Sequence, residues 1–240
     1  FRSIRAKEVL ISSGSIERPL VFGNNDTPGV MLSSAAKEYL KVYGVLVGKK
    51  PLIFTNNDSG HETAIEFKKN GVDPIILDTR KEPKSEIIDE AKKLDIEIKF
   101  SYVVVAAKGY KKVKSAEVAK ISDDKNELGT LENINCDCIC VSGFWTPTIH
   151  LASQSGNKTT FNKDIDAFVP GLSKQNETTL GAANGTFTLE ETLKSSFETG
   201  YELSKKITNN DNKTSSPTVM EKKSTTHDKF WCVPLPKGKT

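Results

Sequence analysis

The chain has few of the residue types that carry chemistry on their own. Its best apolar run, Tyr102 to Ala107, falls far short of the roughly 20 residues that a membrane-spanning helix needs, so no membrane partner is expected. The net charge is only +3, and the lysines are dispersed with no aromatic–basic stripe, so no nucleic-acid partner is expected either. No secretory leader opens the sequence, and a reduced, cytoplasmic setting is expected. Four cysteines occur (Cys136, Cys138, Cys140 and Cys232), with no Cys-x-x-Cys pair among them. That excludes the redox dithiol of a free-standing flavin disulfide reductase. It also departs from the common zinc spacings. Three of the four alternate with Asp137 and Ile139, which in a strand sets all three on one face as packed thiols. A metal module built on these three and Cys232 is the competing reading. His150 has no nearby Ser or Cys arranged with it as a nucleophile pair, and no acid–base pair stands out, so no catalytic residue is assigned. Asn-x-Thr triplets such as Asn157-Lys158-Thr159 arise readily in a chain rich in Asn, Lys and Thr and are read as unglycosylated.

What is present is α/β grammar. Val9-Leu10-Ile11 followed by Ser12-Ser13-Gly14 reads as a short buried strand ending in a small-residue turn. Apolar residues from Met31 to Tyr43 recur at helical spacing, and Gly44 stops that helix. Pro51 to Phe54 is a buried-type strand, a helix follows from about Ser59 to Asn70, and Asp73 to Asp78 is a second strand. This βαβ order predicts a parallel pair. A helix over 83–94 comes next. The alternation at Ile96–Phe100, the apolar run from Tyr102 and the alternation at 113–121 predict an antiparallel meander. Cys136 to Ser142 is a further strand. Thr188 with Glu191 has capping-box spacing and predicts the start of a last helix.

The turn after the strand at Leu52 sits where a dinucleotide-binding unit needs three glycines. Those points fall on Thr55, Asn57 and Gly60, so only the glycine that serves helix–strand packing remains. Asn57 would put a side chain where a pyrophosphate must come close, and Asp58 adds negative charge. Asp78 ends the second strand, where a ribose-binding acid would stand. This unit is read as an inherited scaffold that no longer binds nucleotide.

Several segments in order resemble the α subunit of heterotetrameric sarcosine oxidases. They include Ser13-Gly14, Glu17-Arg18-Pro19-Leu20-Val21-Phe22, Asn24-Asn25-Asp26, Asn57-Asp58-Ser59, Val141-Ser142-Gly143, Ser153-Gln154-Ser155-Gly156, Phe168-Val169-Pro170-Gly171 and Gly181-Ala182-Ala183. Related α-type subunits of opine oxidases and hydrogen-cyanide synthase share parts of the pattern. The resemblance implies a fold of the FAD/NAD(P)-binding Rossmann-like, two-dinucleotide-domain reductase type. It is α/β, truncated at its N-terminus and interrupted by an antiparallel meander. It implies a parent enzyme that oxidises sarcosine to glycine, hydrogen peroxide and a one-carbon unit for tetrahydrofolate. NAD would be held on this subunit, with FAD, FMN and tetrahydrofolate elsewhere in a complex with β, γ and δ subunits. This chain would be part of the NAD-holding half, with no complete active site.

The implied organisation is residues 1–46 in a first dinucleotide domain, 47–128 as an inserted second one and 129–207 returning to the first. Residues 208–228 would be a linker, and 229–240 the start of a following domain. In flavin-holding relatives, a Gly-Asp pair before the last helix binds flavin; here that place holds Gly181-Ala182, and a methyl cannot accept a hydrogen bond. The loop Gly181, Ala182, Ala183 and Gly185, with the helix beginning near Thr188, would let a backbone approach a diphosphate. Ser12, Ser13 and Gly14 would line the same crevice, a tight turn being the alternative reading. Arg18 would pair with a phosphate or with a structural carboxylate. Trp145 reads as core or interface.

Overall fold

A computed structural model describes residues 2–208, 215–219 and 227–236. The chain divides into two compact units: residues 1–16 with 145–221, and residues 17–144 with 222–240. The breaks expected after 46 and 128 both fall inside the second unit. Of the expected linker 208–228, residues 209–214 and 220–226 lie outside the described residues.

The second unit is built on a five-stranded parallel sheet in the order Val30–Leu32, Cys138–Ser142, Pro51–Thr55, Ile75–Asp78, Glu97–Phe100. Strict alternation of side chains supplies two cores. Leu52, Phe54, Leu77, Ile139 and Val141 face an antiparallel meander of Tyr102–Lys108, Ser115–Lys120 and Glu132–Asn135. Ile53, Ile76, Cys138 and Cys140 face the helices Ser33–Tyr43, Asp58–Lys69 and Glu86–Lys93. A sheet covered on both faces explains why its central strands are apolar throughout. The helix stops at Gly44, which takes the left-handed conformation at φ 64°.

Four expectations need correction. Met31 and Leu32 belong to the strand Val30–Leu32, and the helix starts only at Ser33. Glu97–Phe100 is the parallel edge strand, not the first strand of the meander. Glu97 is exposed and Ile98 packs against the helix-side core, an alternation that mimics an antiparallel pattern. Cys136 does not share a face with Cys138 and Cys140; it packs in the meander-side core. The chain bends at Asp137, whose carboxylate accepts the backbone N–H groups of Lys49 and Lys50 at 2.8 Å each. In the first unit, Val9 and Leu10 are exposed and only Ile11 is buried, because their strand has a single partner.

The first unit contains that parallel pair, Val9–Ile11 with Glu177–Thr179. It also holds a hairpin of Thr159–Asn162 and Ala167–Pro170, the short helix His150–Gln154, a 3-10 turn at Gly181–Asn184 and the helix Leu189–Thr208.

Candidate functional site

Ligands in open parallel sheets lie beyond the carboxyl ends of the strands. Each unit has such an end, and the two are furnished differently.

In the first unit, the register pairs Ile11 with Thr179, so Ser12-Ser13-Gly14 and Leu180-Gly181 leave the sheet side by side. The Leu180 N–H donates to the Ile11 carbonyl at 2.9 Å, which ties the two exits together. Ser13 Oγ donates to the Thr148 carbonyl at 2.8 Å, and the Thr148 N–H returns a bond to the Gly14 carbonyl at 3.0 Å. Gly14 holds φ +74° with open space where a Cβ would point. Gly185 holds φ +82°, and a Cβ there would lie 2.9 Å from Ile165 Cδ1. The loop is therefore fixed by backbone conformation and close packing rather than by polar side chains. Ala183 is buried and Ala182 half-buried. These residues fit a ligand contacted through backbone groups, with no carboxylate at position 182 to hold a flavin.

Half of the expected capping box is present: the Glu191 N–H lies 3.4 Å from Thr188 Oγ1, while the Glu191 carboxylate accepts the Thr188 hydroxyl at 2.8 Å. The Thr188 hydroxyl is thus engaged by its own helix. Glu190 and Glu191 place negative charge in the first turn, where the helix end is most positive. Arg18 lies in the second unit. Its N–H donates to the Phe144 carbonyl at 2.7 Å, and its guanidinium sits 4.6 Å from the Trp231 ring centre.

In the second unit, the polar side chains just past the strands Pro51–Thr55 and Ile75–Asp78 are engaged within the unit. Asn57 caps the helix by accepting the Ser59 N–H at 2.8 Å, and its amide donates to the Ser142 carbonyl at 3.1 Å and to Asn56 Oδ1 at 2.9 Å. Gly60 is the packing glycine: a Cβ there would lie 2.5 Å from Thr55 Cβ. Asp78 is fully buried, with His61 Nε2 at 2.7 Å and Arg80 Nη2 at 2.8 Å. Arg80 also pairs with Asp58 at 2.8 Å. Burial alone would raise the Asp78 pKa, but the hydrogen bonds from His61 and Arg80 and their charge hold it below the usual aspartate value. No ribose competes easily for that carboxylate. Glu17 is also buried, and its Oε2 accepts the Ser34 N–H at 2.8 Å while Oε1 has no hydrogen-bond partner. Burial raises its pKa.

Sequence reading missed Asn56, His61, Thr79 and Arg80. Asp78 was visible as a strand-ending acid, but its partners come from a helix and from two residues onward. Among the described residues, no group of three or more His, Cys, Asp or Glu could hold a metal. No described helix is long and apolar enough to cross a membrane.

No family model matches the chain. The α subunit of sarcosine oxidase from Corynebacterium sp. (strain P-1) is 32% identical over 199 residues, covering 82% of this chain and 20% of that protein. The α subunit from Rhizobium meliloti (strain 1021) is 37% identical over 191 residues, covering 76% and 18%. The chain is a relative of these subunits over one segment and spans about a fifth of their length. Among solved structures, the HOCl-induced flavoprotein disulfide reductase of Escherichia coli (as its Cu(II) complex) has a TM-score of 0.61 at 14% identity, covering 84% of this chain and 44% of that one. Thioredoxin reductase from T. acidophilum has a TM-score of 0.58 at 18% identity, covering 76% and 59%. The fold is that of FAD/NAD(P)-binding disulfide oxidoreductases.

Proposed function

From a sequence that aligns over about four-fifths of its length with a segment of sarcosine oxidase α subunits, we propose that this chain is the nucleotide-holding part of an oxidoreductase α subunit. NAD is its ligand, and the first unit is its site. The observation that carries this reading is the register of Ile11 with Thr179, which sets two small-residue loops beside each other past the ends of paired parallel strands. The backbone groups of Ser12, Ser13, Gly14, Gly181, Ala182, Ala183 and Gly185 would hold the diphosphate and its neighbours. Bound NAD would supply a nicotinamide, a hydride-accepting group. Ala182, lacking a carboxylate, disfavours a flavin there. Thr188 contributes by capping the helix behind the loop. Arg18 is assigned to anchoring Trp231 rather than to a phosphate.

The parent enzyme is proposed to demethylate sarcosine oxidatively, giving glycine, hydrogen peroxide and a one-carbon unit for tetrahydrofolate. FAD, FMN and tetrahydrofolate, and β, γ and δ subunits, would supply that chemistry. The relatives' name supports an α-type subunit in a larger oxidoreductase. Calorimetric titration with NAD and with FAD, on the chain and on an upstream-extended form, tests the assignment. Stoichiometric NAD binding supports it. FAD binding without NAD binding would overturn it.

A further inference from the structure

The crevice at the carboxyl ends of the second unit's sheet holds a peptide. Asn56, Thr79 and Gly143 are the first residues past the ends of three adjacent parallel strands, Pro51–Thr55, Ile75–Asp78 and Cys138–Ser142. Residues 227–231 bond to all three. The Asn56 side-chain amide donates to the carbonyls of Asp228 at 2.9 Å and Phe230 at 3.0 Å. The Asn56 carbonyl accepts the Asp228 N–H at 2.8 Å. Thr79 Oγ1 donates to Asp228 Oδ2 at 2.8 Å, and Lys125 pairs with the other oxygen of that carboxylate. The Trp231 indole N–H donates to the Gly143 carbonyl at 3.0 Å. His227 stacks on Phe144, ring centres 3.9 Å apart. Beyond the crevice, the Val21 N–H donates to the Trp231 carbonyl and the Val233 N–H to the Val21 carbonyl, while Phe230 and Val233 enter the core.

We propose that this crevice is a peptide socket rather than a nucleotide site, and that its resident ligand is the segment 227–233 of the same chain. The recognition is of strand-addition type: backbone groups are read by Asn56 and Val21, and specificity comes from the Asp228 carboxylate and the Phe230 and Trp231 rings. The segment lies where a dinucleotide would cross the strand ends. In that turn Asn56 serves the segment, donating to the Asp228 and Phe230 carbonyls, while the Asn57 side chain fills the place of the close-approach glycine and is held by Ser142, Asn56 and Ser59. The socket therefore anchors residues 227–233 to the strand ends, and NADH does not displace them.

Amide hydrogen exchange on the full chain, with and without millimolar NADH, tests this. The Asp228 and Val233 amides should exchange at least about tenfold more slowly than unstructured amides, and NADH should leave them unchanged. Asn56→Ala should speed exchange across 227–233 by about tenfold while leaving Ile53 and Phe54 protected. Unprotected amides at 227–233, or exchange there that NADH accelerates, would overturn the proposal, and neither reading requires a variant to fold. A folded Asn56→Ala chain with unchanged exchange would also overturn it.

Discussion

His61 Nε2 lies 2.7 Å from Asp78 Oδ2, and neither side chain reaches solvent. The carboxylate that would receive a ribose in a dinucleotide-binding unit is instead the hub of a buried ionic cluster with Arg80 and Asp58. Removing that hub leaves buried Arg80 with one partner fewer. Asp78→Asn should cost about 3–5 kcal/mol, read as a lowered urea midpoint at pH 7. The sign with pH follows from the depressed folded pKa. The stabilisation is present above the ordinary aspartate pKa of about 3.9 and is lost as pH falls through the folded value. The variant and the wild type should therefore converge in acid.

Glu17 has the opposite sign. Burial raises its folded pKa, so the protonated form is favoured in the fold and ionisation weighs against the fold as pH rises through that value. Glu17→Gln keeps an oxygen to accept the Ser34 N–H. It should raise the thermal midpoint at pH 7–8, with the gain disappearing below the ordinary glutamate pKa of about 4.3. An unchanged gain at low pH would show that charge is not its cause.

Gly60 and Thr55 are in direct contact across the strand–helix turn. Gly60→Ala forces its Cβ to within 2.5 Å of Thr55 Cβ and should cost about 1–3 kcal/mol by overpacking. Thr55→Gly, which removes that Cβ, should recover part of that loss in the same chain. Denaturant melts of the two single variants and the double variant give the coupling directly.

The thiols divide by burial. Cys136, whose pKa burial pushes up to about 12, and Cys140, whose pKa is also raised by its contact with Cys138 and by burial, are shielded along with Cys138, whereas Cys232 is exposed. A thiol reagent at pH 8 should label Cys232 quickly and the other three only after unfolding. Peptide mapping of the labelled sites checks this.

The βαβ unit from Pro51 to Asp78 was legible because its signals are local: an apolar run, a helical stretch and a second apolar run. Its lost glycines were equally readable, and Asn57 does put its side chain into the turn. Glu97–Phe100 misled because an edge strand alternates whichever way its one neighbour runs. Residues 227–233 were unreadable as a ligand. Their partners Asn56, Thr79 and Gly143 are distant in sequence, and nothing local distinguishes Phe230-Trp231-Cys232-Val233 from the opening of a new domain.

The assignment of NAD to the first unit is tested most directly by calorimetry on an upstream-extended form of the chain, comparing Ala182→Asp with Asn57→Gly. The aspartate would bring negative charge to the loop proposed to meet the diphosphate, so the expected result is NAD affinity reduced about tenfold or more by Ala182→Asp. Asn57→Gly, which loses the capping side chain at a cost of roughly a few tenths of a kcal/mol, should leave that affinity unchanged. NAD binding that ignores Ala182→Asp but shifts with Asn57→Gly would contradict the assignment and place the nucleotide in the second unit.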